Sequence, residues 1–321
     1  MDLGVYFPMS MFLHAKITGN TEKMQTLEAF KKELGVEGSI AYLLWNGAKS
    51  DDYKINYPLD YYIPGEEMSI MKSSWNTKNG IHLATLGGEN ATTMTTFDKG
   101  TFLLEALGER WFVDLGYDNY NVTGGGSYWD IDVRRRLYRV RTEGHNCIVI
   151  NPTPDTFGQE MDASAKIVRH ESKDRGAISV YDLTDVYGTQ TNGYKRGFYL
   201  CDNRNAVILQ DELTLSQASE LYWFLHTQAD VTISPDGKSA LFNQNGKKSY
   251  IYGSGEDNKE YEIDLEEKMI NNIISRTFGS FASIKFPKTI QNIINKSYAK
   301  MFGIDFSEFR DCGEYESLTA L

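Results

Sequence analysis

Cysteine is scarce. The chain contains three, Cys147, Cys201 and Cys312, with no CxxC pair among them, which excludes a zinc-finger framework and a disulfide-rich scaffold. Positive charge is also short. The 33 Lys+Arg against 44 Asp+Glu leave a net charge of -11, which argues against a dedicated nucleic-acid binder, because phosphate recognition rests on an excess of positive charge. No run of about 18 apolar residues occurs, so no membrane-spanning helix is expected. Internal repeats and low-complexity segments are absent, as are GxSxG and HExxH motifs. Gly124-Gly125-Gly126 lacks the GxGxxG spacing and opens no helix, so it is not a dinucleotide loop.

Aromatic residues, by contrast, are plentiful. The 20 Tyr, 16 Phe and 5 Trp lean the chain toward strands, where flat side chains pack on a pleated surface. At 41% hydrophobic and 24% charged residues, the chain can bury a core and is not a disordered tail. The length fits two domains, or one large β domain with an appendage.

Residues 1–35 read as helical. Met24, Leu27, Phe30 and Leu34 share a helix face, Asn20 or Thr21 can cap its start, and Gly35 can end it. Met1–His14 lacks the basic region of a secretory signal and is interrupted by Pro8. The expectation is a cytoplasmic chain, or one whose true start lies upstream. Residues 46–66 read as a polar connector. From Ile81 the pattern changes to short apolar or alternating runs: Thr101–Leu107, Arg110–Leu115, Cys147–Asn151, Ile178–Leu183, Ala206–Leu213 and Glu220–His226. Leu107-Gly108-Glu109 and Asp236-Gly237 read as hairpin turns. Many short strands without long intervening helices predict a mainly β fold, a large antiparallel β-sandwich rather than a βαβ fold. Beyond it, Ile290, Ile293, Ile294, Tyr298 and Met301 follow a helical period. The predicted organisation is a helical segment over 1–57, a sandwich over 58–285 and a helical tail over 286–321.

Several groups of residues bear on chemistry. Read as a strand, Arg134–Arg141 places Arg135, Arg139 and Arg141 on one side, and Arg134, Arg136 and Tyr138 on the other. Guanidinium forks suit carboxylates and sulfates, so this stripe is either an anion-binding floor or a set of ion pairs with Asp130, Asp132 and Glu143. His145 and Asp114 stand at strand ends, where they could share a metal or make a structural hydrogen bond. Zinc sites usually need at least three protein ligands. Asp98, Glu105 and Asp211-Glu212 are carboxylates near strands, with no spacing that marks a catalytic pair.

The order of segments resembles the β-sandwich part of the heparinase II/III-like polysaccharide lyases. The residues that carry the resemblance are Gly87–Thr92, Phe97–Phe102, Gly108–Gly116, Asp118–Asn121, Tyr138-Arg139 and Glu143–Asn146, followed by Lys195–Phe198, Gln210–Glu212 and Trp223–Thr227. Phe7–Gly35 is similar to the last helices of the family's α/α toroid. The resemblance implies β-elimination on uronate-containing glycans. In that reaction the carboxylate is neutralised, a base removes the C5 proton and the glycosidic oxygen leaves. It also implies a zinc site of His, Asp and His, matched here by Asp114 and His145 alone. Thr96 stands at the remaining metal-ligand His and Met94 at the catalytic His. Tyr128 matches the sandwich tyrosine loosely. Neither Met nor Thr can replace the lost imidazole, so zinc is expected to bind weakly or not at all.

Two functional readings follow. One is a lyase domain with a degenerate active site. The other is a non-catalytic β-sandwich that binds an acidic glycan or serves as a structural partner. The resemblance implies an acidic polysaccharide ligand, a periplasmic or extracellular location, and either a toroid domain or a second copy of the chain as partner.

Overall fold

A computed structural model describes residues 10–33, 57–75, 80–92, 95–116, 127–153, 157–235 and 239–252, and the backbone of Glu262–Asp264 and Phe281–Phe286. The chain divides after Pro58 into two compact units.

The first unit contains α1 (Ser10–Ile17) and α2 (Thr21–Glu33). Gly19 at φ +63° breaks the two apart, since that backbone conformation costs glycine little. Asn20 then caps α2, its Oδ1 accepting from the Lys23 amide at 2.8 Å. Met24 and Leu27, on the expected helix face, pack with Phe12 and Ala15. Leu34 and Gly35 lie outside the described residues.

The second unit is antiparallel β-structure. One sheet runs in the order β1 (Tyr61–Ile63), β2 (Met68–Lys72), β3 (His82–Leu86), β5 (Phe102–Ala106), β6 (Glu109–Phe112). A second has the order β11 (Ala206–Leu215), β10 (Thr191–Cys201), β9 (Gly176–Asp182), β8 (Ser164–Lys173), β4 (Gly88–Glu89). A third joins β16 (Glu262–Asp264), β17 (Phe281–Phe286), β12 (Leu221–His226) and β7 (Ile148–Ile150). The fourth is β13 (Asp230–Ile233), β14 (Ser239–Gln244), β15 (Lys247–Tyr252). Residues from all four sheets meet in one apolar core that includes Met71, Phe102, Trp111, Tyr181, Phe198, Trp223 and Phe242. The sandwich expected from the sequence is therefore the fold. Tyr61–Ile63 is a strand, which corrects the reading of 46–66 as connector throughout: the turn at Pro64-Gly65 folds β1 back onto β2.

Leu107 (φ +58°) and Gly108 (φ +74°) turn β5 into β6, as their sequence indicated. Asp236-Gly237 and the expected helical tail lie outside the described residues.

The arginine run departs from expectation. Ile131–Arg134 is a helical turn, α3, and residues 135–141 continue as turns rather than as a strand. The cause is local: the Asp130 carboxylate accepts from the Asp132 amide and caps the turn. Period-2 alternation therefore does not apply to Arg135, Arg139 and Arg141.

Arg196 and Asp211 face each other on β10 and β11 and are both fully buried. The Arg196 fork donates to both carboxylate oxygens at 2.6 and 2.9 Å, and Tyr194 donates to the same carboxylate at 2.9 Å. Asp211→Asn would strand the guanidinium charge in the core. The expected loss is about 3–5 kcal/mol in urea unfolding, against a smaller loss for the paired apolar replacement Arg196→Met/Asp211→Leu. A single-variant loss below about 1 kcal/mol, the range of an exposed pair, would contradict the role given to this ion pair.

Candidate functional site

Of the residues that the sequence singled out, Asp114 and His145 meet next to Asn146. Asp114 follows β6, and its Oδ1 accepts from the Gly116 amide at 2.8 Å. His145 follows the 3-10 turn Thr142–Gly144. Only glycine fits at 144, because a Cβ there would lie 2.2 Å from the Tyr138 carbonyl oxygen. The two side chains meet directly, His145 Nδ1 to Asp114 Oδ2 at 2.6 Å. His145 is buried and Asp114 partly exposed. Burial opposes the imidazolium, yet the Asp114 charge and hydrogen bond outweigh it and raise the His145 pKa. Burial likewise opposes the Asp114 carboxylate, and His145 with the Gly116 amide overcomes it, bringing the pKa down to about 2.

Asn146, fully buried, organises the surroundings. Its Nδ2 donates to the carbonyls of Phe102 (2.7 Å) and Val113 (3.0 Å). Its Oδ1 accepts from the His226 amide at 2.7 Å and lies 3.2 Å from His226 Nδ1. That contact assigns the proton to Nδ1 and leaves Nε2 as acceptor for the Tyr138 hydroxyl at 3.2 Å. Burial, helped by the His145 charge, lowers the His226 pKa to about 3, so this imidazole is neutral at ordinary pH. In the sequence, His226, Asn146 and Tyr138 fall within strands and motifs that do not mark this role. Only the contact between distant segments reveals it, since His226 is 80 residues from Asn146.

Thr96 donates its hydroxyl to Asp98, whose other oxygen pairs with Lys99 Nζ at 2.6 Å. Met94 lies outside the described residues. Tyr128 is buried, with the Arg134 guanidinium 5.8 Å from its ring centre. The three arginines do not form one floor. Arg139 is buried and donates to the Leu115 carbonyl, pinning the segment after β6. Arg141 pairs with Glu143 at 2.6 Å. Arg135 pairs with Asp132 at 2.7 Å and lies 4.3 Å from the Phe157 ring centre, with about a third of its side chain exposed.

These residues do not match a zinc donor set. Among the described residues no group of three or more His, Cys, Asp or Glu is placed to hold a metal. Two ligand atoms on one tetrahedral zinc, each bonded at about 2.0 Å, lie about 3.3 Å apart, whereas Nδ1 and Oδ2 here are in direct hydrogen bond at 2.6 Å. The other ring nitrogen, Nε2, is buried without a hydrogen-bond partner among the described residues and faces away from Asp114.

The four sheets and their shared core define an antiparallel β-sandwich. A sequence profile described as heparinase II/III-like, C-terminal, matches residues 81–297, more than half of the chain. The chain belongs to that family. Among solved structures it is similar to the heparan sulfate lyase HepC of Pedobacter heparinus, with a TM-score of 0.61, 15% identity, and coverage of 88% of this chain and 40% of that one. It is also similar to heparinase III, with a TM-score of 0.59, 16% identity, and coverage of 86% of this chain and 41% of that one. The chain thus spans about two fifths of the length of these structures. A short stretch is similar to the phosphatidylserine decarboxylase proenzyme of Campylobacter jejuni, 60% identical over 47 residues, which is 15% of this chain and 18% of that protein.

The buried pair of histidines sets a pH dependence. The unfolded chain takes up a proton on His226 near its ordinary 6.5, and the folded chain only near 3. The stability that neutral His226 contributes is therefore complete above 6.5 and lost as pH falls toward 3, by up to about 1.4 kcal/mol per pH unit. Asp114 adds a loss only below its ordinary 3.8. His145, with a raised pKa, contributes stability below 6.5 that fades as pH rises through the raised value. Half-buried His170, with a lowered pKa, acts in the same sense as His226. Melting temperature is expected to fall between pH 6.5 and 4.5, and more steeply in wild type than in His226→Gln. Parallel slopes would sink this assignment.

Proposed function

We propose that this chain is the acidic-glycan-binding sandwich of a heparinase II/III-like polysaccharide lyase, with a degenerate active site that carries out little or no β-elimination on its own. The ligand is a uronate-containing polysaccharide met outside the cytoplasm. The observation that carries the reading is the direct Asp114–His145 hydrogen bond, together with Thr96 bound to Asp98, at the positions where the family places its metal. With Met94 at the catalytic His position, no imidazole remains there to remove the C5 proton. General acid–base catalysis is typically worth about 10²–10⁴-fold, so the loss is severe. Arg135, partly exposed, is the arginine best placed to meet a uronate carboxylate, while Arg139 and Arg141 support the loop. Tyr128 is the remaining candidate for proton transfer. Zinc binds weakly or not at all, because a metal would have to displace the existing Asp114–His145 hydrogen bond.

Two measurements test this. β-Elimination leaves an unsaturated sugar that absorbs in the ultraviolet. Purified chain mixed with heparin, heparan sulfate or alginate is expected to give no steady rise in absorbance. A steady rise that disappears in Tyr128→Phe would overturn the degenerate-site reading. Elemental analysis is expected to find well under one zinc per chain, and about one zinc per chain, lost in His145→Ala, would overturn the account of the Asp114–His145 pair.

A further inference from the structure

The three-stranded sheet has one face in the core and one in solvent. Strand alternation sorts its residues. Phe242 and Ala240 are buried and pack with Val231, Ile233 and Ile251 against the main core. The opposite face follows from the registers Asp230↔Asn243↔Lys248, Thr232↔Leu241↔Tyr250 and Ser239↔Tyr252. Tyr250 and Tyr252, two residues apart on β15, have ring centres 6.2 Å apart and planes within 13° of parallel. Tyr250 is 45% exposed. Asp230, Thr232, Asn243 and Lys248 around them are exposed as well.

We propose that this outer face is a second glycan-binding site, separate from the Asp114–His145 region, that takes an acidic polysaccharide chain. The faces of the two tyrosine rings carry the negative part of the aromatic quadrupole, which attracts the C–H bonds on the flat side of a sugar ring. Tyr250, nearly half exposed, stands beside Tyr252 along the strand, so the pair offers aromatic surface to an extended sugar chain. Asn243, Thr232 and Ser239 offer donors and acceptors for sugar hydroxyls. Lys248 supplies the charge that selects a carboxylate- or sulfate-bearing sugar, against Asp230 as the one carboxylate of these three registers. A polysaccharide fits better than a protein partner because the patch is narrow, two tyrosines and Leu241, and bordered by hydrogen-bonding side chains. The choice of an acidic sugar rests on the proposed function; the site itself rests on the geometry of the sheet.

The full chain is titrated with heparin and with alginate in affinity electrophoresis. The double variant Tyr250→Ala/Tyr252→Ala is compared with wild type and with Arg135→Ala. Binding by the tyrosine variant is expected to weaken roughly tenfold, as the loss of two stacking contacts implies, with the melting temperature unchanged. Lys248→Gln should weaken binding and reduce its dependence on salt. Unchanged affinity in the tyrosine variant, with Arg135→Ala impaired, would overturn this second site and leave the proposed function standing. Loss in the tyrosine variant with Arg135→Ala unaffected would support the second site and count against the first. Failure of wild type to bind either polymer would overturn both. Tyrosine nitration gives an independent check. Reaction at Tyr250 that polymer suppresses supports the site, whereas a Tyr250 inert without polymer means that the chain itself covers the face and overturns it.

Discussion

A buried ion pair between β10 and β11 holds two loops of the sandwich beside the candidate site. Arg196 spends its fork on Asp211, and its remaining nitrogen, Nη1, donates to the carbonyls of Gly100 (2.8 Å) and Asn146 (3.0 Å). Gly100 ends the turn that carries Thr96, Asp98 and Lys99, and Asn146 follows His145. One cation therefore fixes two loops that are far apart in sequence. A charge in the core is costly unless compensated, and here both oxygens of Asp211 and two backbone carbonyls provide the compensation. That dependence makes the loops rigid, because moving either carbonyl leaves a buried N–H without a partner.

Asn146 continues the chain of dependence. It joins β5, the end of β6 and β12 through one side chain, and so sets the height at which His226 and Asp114 stand. The two histidines are then shifted in opposite directions. The Asp114 carboxylate in contact raises the pKa of His145, while burial beside an amide oxygen and a phenol keeps His226 neutral. Placing both as cations in that volume would add like-charge repulsion in a low-dielectric interior. The site in this chain thus has the Asp114–His145 hydrogen bond within it, and the geometry holds together through hydrogen bonds among its own side chains.

The outer sheet is built by a different rule. Its inner face is specified by the core, so its register is fixed by burial. The outer face carries two tyrosines with a polar surround, placed there by the sequence of β14 and β15. The second binding surface proposed for it is independent of the first for this reason.

The sequence by itself determined the fold class, because strand periodicity, aromatic content and turn residues are local properties, and the ordered motifs carried the family. The Leu107-Gly108 turn and the strands from Phe102 to Phe112 were legible in this way. The arginine run does not follow period-2 alternation because Asp130 caps the start of a helical turn there, a signal present in the sequence beside the more prominent arginines. The exchanges at positions 94 and 96 were visible as residue identities. Only the tertiary structure decided that Asp114 and His145 bond directly, that Arg139 turns inward to a carbonyl, and that Asn146 and His226 complete the site. Those facts depend on hydrogen bonds between segments tens of residues apart, and neither composition nor periodicity encodes which buried donor finds which acceptor.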